Sequence, residues 1–228
     1  DVHNGDVEFP VVIKPLRQHA TGIRICHTSR ELMINQRWML QRHGPCAIQE
    51  FIPNGGEIGV YALLNNHSEP RAALVQRRIR TCYSYGGAST LRETIRNDDL
   101  LHRTLDFLTE IGWSGVAMVE YRIDQRTGEP NLLEINPRFW GSLELSIHAG
   151  IDFPYLQYRM VMDGDVESTF EYTEGVQTRW LFGDVRQLFV HGGQGGTSRF
   201  FSLKTHDDIL SWDDMLPAVG GTLSAFLG

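Results

Sequence analysis

Two carboxylates, an amide and a guanidinium fall close together in one stretch of this chain: Glu120, Glu134, Asn136 and Arg138. Residues 115–141, GVAMVEYRIDQRTGEPNLLEINPRFWG, read as two strands joined by a polar, Gly- and Pro-bearing turn at residues 125–130. Alternate side chains of a strand share a face, so Glu134, Asn136 and Arg138 are expected opposite Leu133 and Ile135. Pairing of the two strands brings Glu120 to the same face. Two carboxylates and an amide oxygen are hard oxygen ligands, suited to Mg²⁺ or Mn²⁺ rather than Zn²⁺. An arginine beside them suits a phosphate or acyl phosphate, because its fork donates two hydrogen bonds to such oxygens. On spacing alone, a solvated hairpin with ordinary surface charges explains the same residues.

The elements that must position these groups are legible around them. Residues 9–15, FPVVIKP, form a buried-type strand ending in Lys14, where a strand-end lysine can hold a phosphate as a point charge or simply snorkel. Thr28 or Ser29 is a candidate N-cap for a helix with Leu32, Met33, Trp38, Met39 and Leu40 as its apolar stripe. Residues 46–53, CAIQEFIP, read as a strand running into a turn at Asn54, Gly55 and Gly56. Residues 58–64 and 71–80 form an antiparallel pair around a polar turn. Gln76, Arg78 and Arg80 are expected on one face of it, with Arg77 on the other. A face of arginines within a core-forming sheet requires anions, supplied either by ligands or by a structural set of nearby Glu residues. Residues 83–90, YSYGGAST, read as a glycine- and hydroxyl-rich loop in which Gly87, Ser89 and Thr90, with Arg92 just beyond, can bind a carboxylate or phosphate. A helix is expected over residues 98–111, capped by Gly112, and two short helices over 143–149 and 153–162. Trp140 and His148 read as packing and structural residues. A strand is expected near 176–182, a short helix over 184–190, a flexible glycine connection at 192–196 and a docking terminal segment at 207–217.

Composition narrows the class. The chain has 228 residues, 41% hydrophobic and 21% charged, with a formal net charge of -7. That balance argues against a broad nucleic-acid or anionic-membrane surface. No apolar run approaches the roughly 20 residues that cross a bilayer, and no leader segment is visible. Cys26, Cys46 and Cys82 are odd in number and widely spaced, so they read as buried thiols of a reducing, cytoplasmic protein rather than a disulfide frame. No Ser-His-Asp or Cys-His signature for nucleophilic catalysis is present.

The string LLEINPRFWGSLELSIHAGIDFP, with Glu120 on the preceding strand, resembles the metal-binding end of the ATP-grasp superfamily, especially its carbamoyl-phosphate-synthase-like and carboxylate-amine-ligase branches. The resemblance extends over most of residues 9–165. It implies an α+β fold of two lobes with antiparallel sheets and packed helices, nucleotide lying between them. The implied organisation is a partial small lobe at 1–56, a large lobe with the metal site at 57–165, and an extension at 166–228 packed on the large lobe. It further implies ATP and Mg²⁺ (or Mn²⁺) as cofactors, with Glu120, Glu134 and Asn136 as metal ligands. Lys14 is implied to touch phosphate and adenine; Gln49, Glu50, Phe51 and Ile52 to line the adenine; Glu57 to hold the ribose hydroxyls; and Arg78 to hold phosphate. Arg138 and Arg80 are implied as catalytic, Arg138 steadying an acyl phosphate. Gly87, Ser89, Thr90 and Arg92 resemble the acceptor-substrate loop. The implied activity joins a carboxylate to an amine or thiol with release of ADP; a grasp-type kinase acting on a hydroxyl, a nucleotide-binding module without turnover and a non-enzymatic interaction domain are the alternatives. Residues 16–22, LRQHATG, depart from the pattern, having one glycine where many members carry a glycine-rich phosphate loop. The start at Asp1, with a strand close behind it, suggests an upstream domain of the same protein. Partners expected are small molecules, with no nucleic acid and no membrane; a homodimer is compatible with the sequence.

Overall fold

The computed structural model describes residues 8–16, 22–83, 86–181, 183, 205–209, 216 and 220. Residues 17–21 of the loop expected at 17–22, the helix at 184–190, the glycine run at 192–196 and most of the terminal segment at 207–217 lie outside them. The chain divides into two compact units, Asp1–Pro53 and Asn54–Gly228.

The first unit is a three-stranded antiparallel sheet in the order β2-β1-β3, made of β1 (Val11–Pro15), β2 (Arg24–Cys26) and β3 (Cys46–Glu50). Helix α1 (Ser29–His43) packs against it. Thr28 is the N-cap: its side chain accepts from the Glu31 amide at 3.2 Å, while the Glu31 carboxylate accepts from the His27 amide at 2.8 Å. The first bond satisfies one of the helix's orphan amides, and the second ties the residue before the cap to the first turn. Val11, Ile13, Cys26, Leu32 and Met39 form the core. Leu32 and Met39 lie two helical turns apart and so share a face. Met33 and Leu40, expected in the apolar stripe, are instead 56% and 49% exposed, because they lie off the narrow arc that meets the sheet.

The second unit is a seven-stranded sheet in the order β10-β9-β6-β5-β4-β7-β8. Its long strands are β4 (Asn54–Leu64), β5 (Pro70–Tyr83), β6 (Gly86–Ile95) and β7 (Gly115–Asp124), followed by β8 (Pro130–Asn136), β9 (Gln177–Arg179) and β10 (Thr205–Asp207). All pairings are antiparallel except β10 with β9. With its helices the fold is α+β. One face is covered by α2 (Asp98–Glu110), whose Leu100, Leu101, Leu105 and Leu108 meet Val60, Ala62, Val75, Ala117 and Val119. The other is covered in part by α3 (Leu143–Ala149) and α4 (Phe153–Asp163), around Tyr61, Leu63, Leu74, Met118, Trp140 and Phe153. Asn97 and Asp152 cap α2 and α4 by accepting from the Leu100 and Tyr155 amides at 3.1 and 2.9 Å.

Three local expectations change. Asn54, Gly55 and Gly56 are not a turn but the bulged start of β4, paired with β7. A Cβ on Gly55 would lie 3.0 Å from the Ile123 carbonyl oxygen, so this backbone approach requires glycine. Residues 86–90, expected in a loop, already belong to β6, and the β5–β6 pairing reaches Tyr83 and Gly86. Finally, a bulge between Arg78 and Arg80 ends the simple alternation: Arg78 faces Arg92, but Arg80 pairs with Leu91, one step out of register. The expected β4–β5 and β7–β8 pairs form as read, and Trp140 packs, 3% exposed, against Tyr61 and Phe153.

Gly59 sits at the centre of the large sheet, and a Cβ there would lie 2.6 Å from the hydroxyl and 2.7 Å from the ring of Tyr61, itself 1% exposed. The ring is rigid and enclosed, so Gly59→Ala is expected to destabilise the unit by about 1–3 kcal/mol. Urea denaturation at matched m-value checks it; an unchanged midpoint would mean that the ring has room to move.

Candidate functional site

The register of the large sheet arranges the polar residues in rows on the face that also carries Tyr61 and Met118. In the first row, Arg92 on β6, Arg78 on β5, Glu57 on β4 and Arg122 on β7 stand opposite one another in turn. In the next row stand Thr94, Gln76, Gly59, Glu120 and Glu134. In the third, Tyr61 faces Met118 and Met118 faces Asn136. Helices α3 and α4 leave this end of the sheet face to charged side chains.

Contacts follow the rows. Glu57, 8% exposed, accepts from Arg78 and from Arg122, each at 2.9 Å, one oxygen to each. The Arg78 guanidinium also pairs with Glu120 in the neighbouring row. It reaches that carboxylate diagonally, since Glu120 stands opposite Gly59, one row on from Glu57. Glu134 faces Glu120 directly and accepts from the Asn136 amide nitrogen at 2.9 Å, which leaves the Asn136 amide oxygen available to a cation. Like charges directly opposite across a strand pair repel, so Glu120 and Glu134 favour a shared cation. Among the described residues no group of three or more His, Cys, Asp or Glu side chains has metal-binding geometry. The expected set contains only two carboxylates, completed by an amide, and its hard oxygens fit Mg²⁺ or Mn²⁺.

Behind this edge, the Gln76 amide donates to the Tyr61 hydroxyl at 2.6 Å and to Ser142 at 2.8 Å, and Ser142 donates back to the Gln76 oxygen at 3.2 Å. Burial of Tyr61 pushes its pKa up, so it serves as a neutral hydrogen-bonding group. Arg77, on the opposite face, pairs with Glu93. The sequence singled out neither Arg122 nor the Gln76–Tyr61–Ser142 set as functional; only register brings them beside Arg78.

The remaining expected residues are placed as follows. Arg138 lies past the end of β8 rather than on its face; it is exposed and donates to the Phe139 carbonyl at 3.0 Å. The strand stops because Pro137 cannot donate to the ladder. Arg80 is buried, and its carbonyl accepts from the Ser89 hydroxyl at 3.3 Å, which also donates to the Leu91 carbonyl at 3.1 Å. Gly87 lies in β6, and Thr90 is fully buried. Arg92 is 2% exposed, pairs with Asp208 and donates to the Ser89 carbonyl at 3.0 Å. Burial raises the Asp208 pKa, and the Arg92 charge draws it back down. In the first unit, Lys14 stands opposite Ala47 and Val12 opposite Gln49, so Lys14 and Gln49 share the face away from the α1 core. Glu50 faces Val11 and lies on the other face, at an exposed strand end; Phe51 and Ile52 are half-buried just beyond it. The Phe51 amide donates to the Pro10 carbonyl at 3.3 Å.

The fold of the chain is similar to that of several solved structures. The biotin carboxylase domain of Hydrogenobacter thermophilus 2-oxoglutarate carboxylase, solved as a dimer with MgADP, aligns at TM-score 0.57 and 17% identity, over 74% of this chain and 40% of that one. Campylobacter jejuni biotin carboxylase, in a β-γ-ATP complex, aligns at 0.59 and 13%, over 75% and 41%. N5-carboxyaminoimidazole synthetase from Staphylococcus aureus aligns at 0.56 and 15%, over 74% and 44%. The chain therefore spans less than half the length of each of these neighbours. Residues 46–183, more than half of the chain, match the family described as ATP-grasp in the biosynthetic pathway with Ter operon, and the chain belongs to that family. No curated protein sequence matches it. Among the described residues, no helix is long and apolar enough to cross a membrane.

A titratable contact joins α3 to β10. His148 of α3, expected as a structural histidine, stacks on His206 of β10 at 3.9 Å between ring centroids. Burial, then the neighbouring His206, lower its pKa from the usual 6.5, and Glu144 opposes the shift. A histidine depressed in the folded state binds its proton more readily when unfolded. Its contribution is therefore neutral well above pH 6.5 and becomes destabilising as pH falls through that value. Urea midpoints should decline between about pH 6.5 and 5, and His148→Gln should flatten that part of the profile. Superimposable profiles would place the titration elsewhere.

Proposed function

We propose that the chain forms the nucleotide- and metal-binding part of an ATP-dependent, ADP-forming ligase that joins a carboxylate to an amine or thiol through an acyl phosphate. The observation that carries this reading is the facing pair Glu120 and Glu134, with Asn136 beside them, inside a stretch that matches an ATP-grasp family. Mg²⁺ or Mn²⁺ bound there would offset charge on the phosphoryl group in transfer. Lys14 and Gln49 share an open sheet face suited to nucleotide contact, and Lys14 supplies a point charge for phosphate. Gln49, Glu50, Phe51 and Ile52 are assigned to adenine and Glu57 to the ribose. Glu57 is held by two arginines here, so hydroxyl binding must use its remaining lone pairs or displace one of them.

Arg78 is assigned to phosphate oxygens; Arg80, which the bulge takes off that face, would have to turn back to join it. The substrate carboxylate attacks the γ-phosphorus, the bond to the β-phosphate oxygen breaks and ADP leaves. Arg138, exposed at the strand end, reaches the resulting acyl phosphate with its fork; the amine or thiol then displaces phosphate. Gly87, Ser89, Thr90 and Arg92 are assigned to the acceptor. Ser89 and Arg92 make intramolecular bonds in this structure, so their share falls to backbone groups and to exchange of those bonds.

Calorimetric titration of ATP with and without Mg²⁺ tests the reading. Binding is expected to require the metal, and Glu134→Ala to weaken it by at least about tenfold, roughly 1.4 kcal/mol. Lys14→Ala is expected to lower affinity while preserving the metal requirement. ADP release should depend on supplying both a carboxylate and an amine or thiol. ADP formation with a hydroxyl compound alone would indicate a kinase, and metal-independent binding unaffected by Glu134→Ala would remove the metal site from the account.

A further inference from the structure

The contacts of Arg78 have a consequence for the order in which ligands bind. Its guanidinium spans two carboxylates, one nitrogen 2.9 Å from Glu57 and another on Glu120. Both pairs are largely shielded: side-chain exposures are 16% for Arg78, 8% for Glu57 and 14% for Glu120. Screening by salt is weak at such sites. While the guanidinium holds Glu120, the Glu120–Glu134 pair is already half neutralised and one of its carboxylates has a cationic partner. A free divalent cation would have to expel that partner and so break an ion pair largely shielded from solvent.

The arrangement provides for an exchange instead. Glu57 has a second guanidinium, Arg122, at 2.9 Å on its other oxygen. If Arg78 turns to an incoming polyanion, Glu57 keeps Arg122 and Glu120 passes to the cation. No buried carboxylate is left unpaired, which is the costly outcome for such groups. Glu120 and Glu134 then present two facing negative charges, matched to a dication.

We propose that Arg78 is a latch on the cation site, holding Glu120 closed to free divalent metal until a polyphosphate ligand draws the guanidinium away, so that metal and polyphosphate enter together. This rests on the reading of Glu120, Glu134 and Asn136 as metal ligands. It adds that their affinity for metal is set by a residue outside that set.

The test is Mn²⁺ binding followed by the electron paramagnetic resonance of the free aquo ion, without turnover. Wild type is expected to bind Mn²⁺ alone weakly and to gain affinity when a non-hydrolysable ATP analogue is present. Arg78→Gln is expected to bind Mn²⁺ alone at least about tenfold more tightly than wild type, and to gain less from the analogue. Adding Glu120→Gln to Arg78→Gln should abolish the gained affinity. Should Arg78→Gln fail to fold, Arg78→Lys, whose point charge cannot fork across both carboxylates, is expected to shift Mn²⁺ affinity in the same direction. Equal affinity of wild type and both variants for Mn²⁺ alone overturns the latch. If metal binding with the analogue is also indifferent to Glu120→Gln and Glu134→Gln, the metal-site reading itself fails; if those variants abolish it, only the latch has failed.

Discussion

Glu57 stands between two guanidiniums in a single row across the large sheet, and that contact constrains everything around it. Its carboxylate is buried, so it must be paired to remain charged. Strand register supplies Arg78 on one side and Arg122 on the other, each directly opposite. Arg78 is then committed to this end of the sheet face and extends to Glu120. Glu120 in turn faces Glu134. A connected set of charged side chains therefore runs over β5, β4, β7 and β8, and a slip of one residue in any pairing would send a charge into the apolar core on the far face. The same register that buries Val60, Val119 and Val75 under α2 thereby positions the polar row on the other side.

The sheet separates chemistry from packing along its strands as well as across its faces. At one end, Tyr61, Leu63, Leu74 and Met118 are sealed by Trp140, Phe153 and the helices around them. At the other end the helices stop covering the face, and residues at the same alternation become Glu57, Gln76, Arg78 and Glu120. The Gln76–Tyr61–Ser142 hydrogen bonds mark the boundary. They tie β5, β4 and the start of α3 together one row from the carboxylates, with every strong donor and acceptor of the Gln76 amide engaged in a water-poor setting. Such a fully satisfied network rigidifies its surroundings.

Bulges decide which side chains join the row. The extra residue between Arg78 and Arg80 removes Arg80 from the face that simple alternation assigned to it. Another, opposite the step from Glu120 to Tyr121, lets Glu134 face Glu120 while Leu132 faces Tyr121. Neither shift has a glycine or proline at the bulged position to announce it. At Asn54–Gly56 the glycines are visible, yet they signal a close strand approach as readily as a turn. That ambiguity is why a turn was expected where β4 begins.

The sequence by itself determined the local and periodic features: a helix cap at Thr28 or Ser29, the β4–β5 and β7–β8 pairs around their polar turns, the leucine stripe of α2, and the grouping of Glu120, Glu134 and Asn136 on one hairpin. Each of these rests on interactions within a few residues or across a short turn, where spacing fixes geometry. The ATP-grasp resemblance, carried by a contiguous string, was legible for the same reason. Only the tertiary structure decided the partners of the arginines. Arg122 reaches Glu57 across 65 positions of sequence, and Arg92 reaches Asp208 across 116. Whether an arginine in a sheet awaits an anionic ligand or already holds a carboxylate depends on which distant strand lies beside it. Strand order and bulges set that, and spacing along the chain does not encode them.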